Sequence, residues 1–128
     1  MKSLDKYQKI AEMLASFSSD KRLKVGAIIL KDGRVISTGY NGQLPGEPHQ
    51  EVLINGHDVS TVHAELNAIL SSAKSGISLN QCVLVTTHHP CLNCTKAIIM
   101  AGIKTVYYIN DYKNEENFYR NKIEMVKL

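Results

Sequence analysis

The chain has 128 residues, of which 15 are Lys or Arg and 12 are Asp or Glu, so its formal net charge is +3. This length fits one domain, and we predict a single domain over residues 1–128. The mild charge, without a basic stripe interleaved with aromatic residues, argues against a nucleic-acid partner. No apolar run approaches the roughly 18 residues of a membrane span, which argues against a membrane protein.

The cysteine content and the first residues indicate a reducing compartment. The N-terminal residues lack the apolar core of a signal peptide, so we expect a cytoplasmic protein. The cysteines are Cys82, Cys91 and Cys94, an odd number, which argues against a disulfide framework. Cys82 lies inside an apolar run and is interpreted as a small core residue.

The first third of the chain predicts a helix followed by a β-hairpin. Residues 4–17 carry apolar side chains at helical spacing, and Ser18-Ser19-Asp20 stops that helix. The continuous apolar run 25–30 predicts a strand covered on both faces. Asp32-Gly33 is a hairpin turn signal, so residues 34–40 are predicted to form the antiparallel second strand.

The remainder of the chain alternates predicted helices and strands. A long polar loop over 41–58 precedes a helix with Ser60 or Thr61 as N-cap, which ends at Gly76. Further elements are predicted in this order: a strand over 82–86, a helix from Pro90 as first helical residue to Gly102, a strand over 104–109, a short helix over 112–121 and a strand over 122–127. The last stretch could instead continue the helix. This alternation predicts parallel neighbours in a three-layer α/β/α domain with helices on both faces of the sheet.

Two short stretches carry the chemistry, His63-Ala64-Glu65 and Pro90-Cys91-Leu92-Asn93-Cys94. One imidazole and two thiolates supply three zinc ligands and leave the fourth position open for water. Cys91 and Cys94 share a helix face, and a helix N-terminus favours thiolate. Glu65 follows His63 by two residues and can reach the water without ligating the metal. We therefore predict one catalytic Zn²⁺ per chain, with Glu65 acting first as base and then as acid.

Each part of this pattern also has a simpler interpretation. A Cys-x-x-Cys pair alone could be a redox motif or half of a structural zinc site, but a structural site requires a fourth Cys or His. His49 and His57 in the polar loop could join a metal site, although solvated loop histidines are the simpler interpretation. The combination of both stretches at predicted helix starts favours the catalytic zinc.

With these motifs in view, the chain resembles the cytidine deaminase superfamily, and within it the deoxycytidylate (dCMP) deaminases. His-Ala-Glu and Pro-Cys-x-x-Cys are common to the superfamily, whereas Gly39-Tyr40-Asn41-Gly42 and Asn67 favour the dCMP branch. The resemblance extends from about Val25 to Val106. It implies a cytidine-deaminase-like α/β/α fold with a mixed sheet of four to five strands, the same zinc ligands and the same proton shuttle.

The resemblance also implies the substrate contacts. Asn41 would contact the sugar, with a turn residue before Gly42 as the alternative. The backbone N–H of Ala64 would bind the pyrimidine carbonyl, as helix-start amides can. Backbone groups of Thr87 and His88 would hold the exocyclic amine. Lys21, Arg22, Lys24 and Lys113 are candidate phosphate partners, with solvated charge as the alternative for each.

The implied reaction is hydrolysis of dCMP to dUMP and ammonia, which would supply thymidylate synthesis. Alternative substrates are dCTP, free cytidine or deoxycytidine, guanine and tRNA adenosine. A non-catalytic zinc-binding module is a further alternative, against which the intact Glu65 argues. A second, structural zinc and triphosphate regulation, which some relatives have, are not expected because no cysteine precedes Cys82. The resemblance implies a small-molecule nucleotide as substrate and a homo-oligomer, hexameric or dimer-based.

Overall fold

The computed structural model describes residues 4–112 and 118–128. In chain order the elements are α1 (Leu4–Ser16), β1 (Gly26–Lys31), β2 (Arg34–Tyr40), β3 (Gly42–Gln43), β4 (Leu53–Ile54), β5 (His57–Asp58), β6 (Thr61–Val62), α2 (Ala64–Lys74), β7 (Val83–His88), α3 (Leu92–Met100), β8 (Thr105–Asn110) and β9 (Glu124–Lys127). Within the described ranges, no helix has both the length and the apolar character needed to cross a membrane.

The central sheet has five strands in the order β2-β1-β7-β8-β9. β1 pairs antiparallel with β2 on one side and with β7 on the other, whereas β7, β8 and β9 run parallel. The predicted mixed sheet and the antiparallel pairing of β1 with β2 are therefore confirmed, but the prediction of parallel neighbours is wrong for β1 and β7. The hairpin reverses the chain once, and the crossover through α2 then carries it past β1 to that strand's other edge.

Alternate residues of β1 face two different apolar layers, which explains its continuous apolar run. Ile28 and Leu30 pack with α1 against one face, together with Leu4, Tyr7, Ala11 and Val85. Ala27 and Ile29 face α2 and α3 in the larger cluster, which also contains Cys82, Leu84, Ile98 and Val106. Cys82 is fully buried there, so its interpretation as a core residue is confirmed. The predicted helices on both faces are confirmed as well.

Helix α2 approaches β2 at backbone contact distance because Gly39 has no side chain. A Cβ on Gly39 would lie 2.3 Å from the Ala64 carbonyl oxygen and 2.8 Å from the Ala68 nitrogen. Asn67 Nδ2 donates to the Tyr40 carbonyl at 3.0 Å and adds a polar tie between the two elements. The start of α2 is therefore positioned by the second strand of the hairpin.

The β1-β2 hairpin forms as predicted. Asp32 and Gly33 have φ values of 50° and 77°, as a tight two-residue turn of the primed type requires. β2 has the predicted bounds, whereas β1 is shifted by one residue from the predicted 25–30. The register shifts between Ile29 and Leu30, which marks a bulge or similar irregularity in β1.

The predicted start of α2 is wrong. Neither Ser60 nor Thr61 caps it, because Thr61 and Val62 pair antiparallel with Gln43 and Gly42 in a small separate sheet. The helix begins at Ala64, with His63 as N-cap. The predicted loop over 41–58 also contains β4 and β5, which pair with each other.

The start of α3 and the C-terminal elements differ from the prediction too. Pro90 is not the first helical residue: Cys91 is the N-cap and the helix runs over Leu92–Met100. Part of the predicted helix over 112–121 lies outside the described residues, and residues 118–122 form turns instead of a helix. The predicted fifth strand is confirmed as β9, shorter than 122–127.

Candidate active site

The starts of α2 and α3 bring His63, Cys91 and Cys94 together. His63 Nδ1 lies 3.3 Å from Cys94 Sγ and 3.5 Å from Cys91 Sγ. One donor atom from each residue lies within 4.8 Å of the other two. Tetrahedral zinc with ordinary bond lengths would place its nitrogen and sulfur ligands about 3.6 Å apart. Both the spacing and the chemistry of this donor set therefore fit zinc, and the three predicted ligands meet.

Cys91 caps the helix that carries Cys94. Its Sγ accepts a hydrogen bond from the Cys94 backbone nitrogen at 3.4 Å, where Ser or Asp would be usual. Hydrogen bonds from the Cys94 side chain and from His63 lower the pKa of Cys91 to about 4. The same contact with Cys91 raises the pKa of Cys94, so the two thiols share one proton. A cation bound to both sulfurs would displace that proton.

Glu65 is a buried carboxyl next to these ligands. It lies in the first turn of α2 and is only 4% exposed. Burial raises the pKa of Glu65 to about 6, partly opposed by a backbone hydrogen bond and by His63. A carboxyl with this pKa exchanges protons close to neutral pH, as a group that acts as both base and acid requires.

A cavity of about 540 Å³ opens onto these groups. Its walls include three of the four predicted substrate contacts, Asn41, Ala64 and His88, together with Glu65. Thr87, the fourth, is buried and is not among the described residues that line this cavity. The volume lies in the range of small-molecule sites, about 300–1,000 Å³.

Asn41 holds the loop before β1 in place. Its Oδ1 accepts from the Val25 nitrogen and its Nδ2 donates to the Leu23 carbonyl, both at 2.8 Å. Ser18 Oγ donates to the Asn41 carbonyl at 2.6 Å. The residue is therefore more than a turn former. The Asn41 amide still has one N–H and one oxygen lone pair without a partner in these two bonds, and either could bind a sugar oxygen or hydroxyl. The sugar contact stays a prediction.

The backbone groups predicted to hold the substrate differ in their availability. The Ala64 N–H is at the first position of α2, where a helix supplies no partner. The Thr87 carbonyl already accepts from Asn110 Nδ2 at 2.9 Å, and the His88 carbonyl accepts from Thr86 Oγ1 at 3.2 Å. A carbonyl can accept a second hydrogen bond, so the amine contact also stays a prediction.

The cavity rim contains an ion pair that the sequence did not predict. Arg22, a candidate phosphate partner, pairs with Glu51 at 3.6 Å, and both line the cavity. The ammonium of Lys24, another candidate phosphate partner, donates to the Ser18 carbonyl. Lys113, a further candidate, lies outside the described residues. The contact between Arg22 and Glu51 joins two loops distant in sequence, so local spacing carries no signal for it.

The loop histidines differ in position. His57 lines the cavity, whereas His49 is exposed. Among the residues described by the structure, neither belongs to the group of side chains that could hold a metal.

A family description matches most of this chain. The family described as "Cytidine and deoxycytidylate deaminase zinc-binding region" matches residues 1–110. That range contains both ligand stretches and Glu65. The resemblance noted from the motifs is therefore confirmed across the domain.

Individual relatives agree with this assignment. "ComE operon protein 2" of Bacillus subtilis is 46% identical over 107 residues, which cover 80% of this chain but only 57% of that protein. The deoxycytidylate deaminase of Enterobacteria phage T4 is 31% identical, and the match covers 80% of this chain and 75% of the phage protein.

A solved structure extends the likeness over nearly the whole fold. The dCMP deaminase from cyanophage S-TIM5, crystallised with dCMP and dUMP, superimposes with a TM-score of 0.89 at 36% identity. The alignment covers 99% of this chain and 97% of the cyanophage chain. Motifs, fold and relatives thus converge, and the chain belongs to the cytidine and deoxycytidylate deaminase family, with dCMP deaminases among its relatives.

Proposed function

We propose that this protein is a zinc-dependent hydrolytic deaminase that converts dCMP to dUMP and ammonia. The observation that carries the proposal is that two thiols and one imidazole meet next to a buried, non-ligating carboxyl, and that His63, Glu65 and Cys91 of this group line one cavity. A structural zinc site has no use for a buried carboxyl whose pKa is raised to about 6. A deaminase requires one. This argues against the non-catalytic alternative.

The three ligands and Glu65 have separate tasks in this proposal. His63, Cys91 and Cys94 would hold zinc, which when bound supplies a water of lowered pKa. Glu65 accepts a proton from the attacking water and delivers it to the ring nitrogen next to C4. It then takes the second proton, from the hydroxyl now on C4, and delivers it to the amine as the C4–N bond breaks, so water and dCMP become dUMP and ammonia. The Ala64 N–H donates to the pyrimidine carbonyl.

The identity of the substrate, a nucleoside monophosphate, is inferred from the relatives and the cavity. The phage T4 relative is named a deoxycytidylate deaminase, and the cyanophage enzyme was crystallised with dCMP and dUMP. The volume of about 540 Å³ suits one nucleotide, and Arg22 at the rim would bind a phosphate in place of Glu51. These observations favour dCMP over a free nucleoside, guanine or a tRNA. The product would supply thymidylate synthesis.

We also infer a homo-oligomer, hexameric or dimer-based. Leu70 on α2 and Met100 at the end of α3 are large apolar side chains with exposures of 53% and 87%. A second copy of the chain would cover such residues. Light scattering after gel filtration tests this, and a monomer at micromolar concentration would contradict it.

Ammonia release tests the reaction and its substrate. Zinc-loaded protein is incubated separately with dCMP, dCTP, deoxycytidine, CMP and guanine. We expect dCMP to give the highest kcat/KM. Glu65→Gln should lower kcat by about 10²–10⁴-fold at unchanged zinc content, because the proton shuttle is lost. Glu12→Gln, an exposed change on α1, is the matched control and should retain full activity.

Two results would overturn the proposal. If another substrate has a higher kcat/KM than dCMP, the assigned substrate is wrong. If Glu65→Gln keeps the activity of the Glu12→Gln control, the assigned proton shuttle is wrong.

A further inference from the structure

We propose that the His88 side chain binds the substrate, with its Nε2–H donating to an oxygen of the sugar–phosphate part, and that the Thr87 hydroxyl positions this imidazole. The inference deepens the proposed function and rests on it. It concerns the side chain of His88, which acts independently of the backbone contact predicted from the sequence.

The Thr87 hydroxyl has two hydrogen-bond partners. Its Oγ1 lies 3.1 Å from the Gly26 backbone nitrogen and 2.8 Å from His88 Nδ1. A backbone N–H can only donate, so Thr87 Oγ1 accepts from Gly26. Thr87 is 3% exposed, and its hydroxyl proton therefore needs an acceptor inside the protein. Within the described residues, His88 Nδ1 is the acceptor placed at hydrogen-bond distance.

This arrangement fixes the tautomer of His88. When Nδ1 accepts from the hydroxyl, the ring proton resides on Nε2 and the imidazole is neutral. Burial lowers the pKa of His88, which keeps the ring neutral around pH 7 as well. His88 lines the cavity, so the ring presents an N–H donor, rather than an acceptor, to whatever binds there.

The position of His88 indicates which part of the nucleotide it meets. The start of β1 connects it to Asn41: the Gly26 nitrogen bonds to Thr87, and the preceding nitrogen, of Val25, bonds to the Asn41 side chain. Thr87, next to His88, and Asn41 are thus bonded to consecutive residues at the start of β1, and His88 and Asn41 both line the cavity. The predicted base contacts, Ala64 and Glu65, lie on α2. A donor on the β1 side of the cavity is matched by a sugar hydroxyl or by a phosphate oxygen.

Steady-state kinetics of His88→Leu and His88→Gln test the contact. His88→Leu removes the donor, and His88→Gln keeps an N–H donor on a side chain of similar reach. We expect His88→Leu to raise KM for dCMP about tenfold with kcat within twofold, as loss of one hydrogen bond to bound substrate does. His88→Gln should recover most of that loss.

Two analogues distinguish the oxygens. If the acceptor is the phosphate, His88→Leu leaves KM for deoxycytidine unchanged. If it is the 3′-hydroxyl, the substitution leaves KM for 2′,3′-dideoxycytidine 5′-monophosphate unchanged. An unchanged KM for dCMP itself in an active enzyme would overturn the inference.

Nitrogen NMR of labelled protein tests the positioning role without turnover. Wild-type His88 should show an unprotonated Nδ1 and a protonated Nε2. Thr87→Val should weaken this preference and raise KM for dCMP, and Thr87→Ser, which keeps the hydroxyl, should restore both. A protonated Nδ1 in the wild type would overturn the assignment. Failure of the proposed function looks different, because wild-type protein would then prefer another substrate or turn over none.

Discussion

Replacing Gly39 by Ala should damage both the stability and the activity of the protein, although Gly39 lies in a strand. The added Cβ would stand 2.3 Å from the Ala64 carbonyl oxygen and 2.8 Å from the Ala68 nitrogen. Both are backbone atoms of α2, so no side-chain rotation can relieve the contact. Either the helix or the strand must move.

The size of this movement follows from the contact distances. The Ala64 oxygen must retreat from 2.3 Å to at least 3.0 Å, a shift of about 0.7 Å. Ser37 Oγ donates to the Ala68 carbonyl at 2.6 Å, so this movement also strains a buried hydrogen bond. Overpacking of this kind costs about 1–3 kcal/mol of unfolding free energy. Because α2 carries Glu65, and a misplacement of about 1 Å can cost 100-fold in rate, we expect kcat to fall about 10–100-fold.

Gly42→Ala is the matched control, since no atom would lie within 4 Å of its added Cβ. Urea unfolding measures the stability loss, and ammonia release by zinc-loaded protein measures kcat. The reasoning would be refuted if Gly39→Ala and Gly42→Ala agreed within about 0.5 kcal/mol in stability and twofold in kcat.

Three further changes test other parts of the structure. Asn41→Ala removes the hydrogen bonds to Val25 and Leu23 and should cost about 1–3 kcal/mol in urea unfolding; a loss below about 0.3 kcal/mol would contradict its clamping role. The Ser60 hydroxyl lowers the pKa of Asp58, so this pairing favours folding above the ordinary carboxyl pKa and is lost as the pH falls through the lowered value. Carboxyl NMR titration should show a low pKa that Ser60→Ala raises, and equal values in both proteins would contradict this. Zinc at a thousand times its dissociation constant should stabilise the protein by about 4 kcal/mol, and a chelator should remove that gain in calorimetry; an unchanged Tm would argue against a bound metal.

Local patterns predicted the hairpin because its determinants are adjacent in sequence. Asp32 and Gly33 supply the positive φ values of the turn, and the apolar run before them has one pairing partner within reach. The grouping of His63, Cys91 and Cys94 was predicted equally well, because zinc accepts few ligand types at few spacings. His63 and Cys91 are recognisable without any knowledge of the helices that hold them.

Long-range pairing decided the features that the sequence did not reveal. Thr61 is an ordinary helix cap by local rules, but its pairing with Gln43 makes it a strand residue. The cap of α3 is a local exception: Cys91 took the position in place of Pro90 because its sulfur accepts from the Cys94 nitrogen. The fixed tautomer of His88 depends on a hydroxyl that is held by a nitrogen of another strand. No local pattern encodes such a contact.

The position of β1 between two antiparallel partners has a consequence for the folding kinetics. Its pairing with β2 closes over a two-residue turn and can form within microseconds, whereas its pairing with β7 joins Ala27 to Thr86, far along the chain. His63 precedes β7 and Cys91 follows it, so the metal ligands meet only after β7 has entered the sheet. If the pairing of β1 with β7 limits the folding rate, zinc would bind after the rate-limiting step. We expect it to slow the unfolding of this protein while leaving the folding rate almost unchanged.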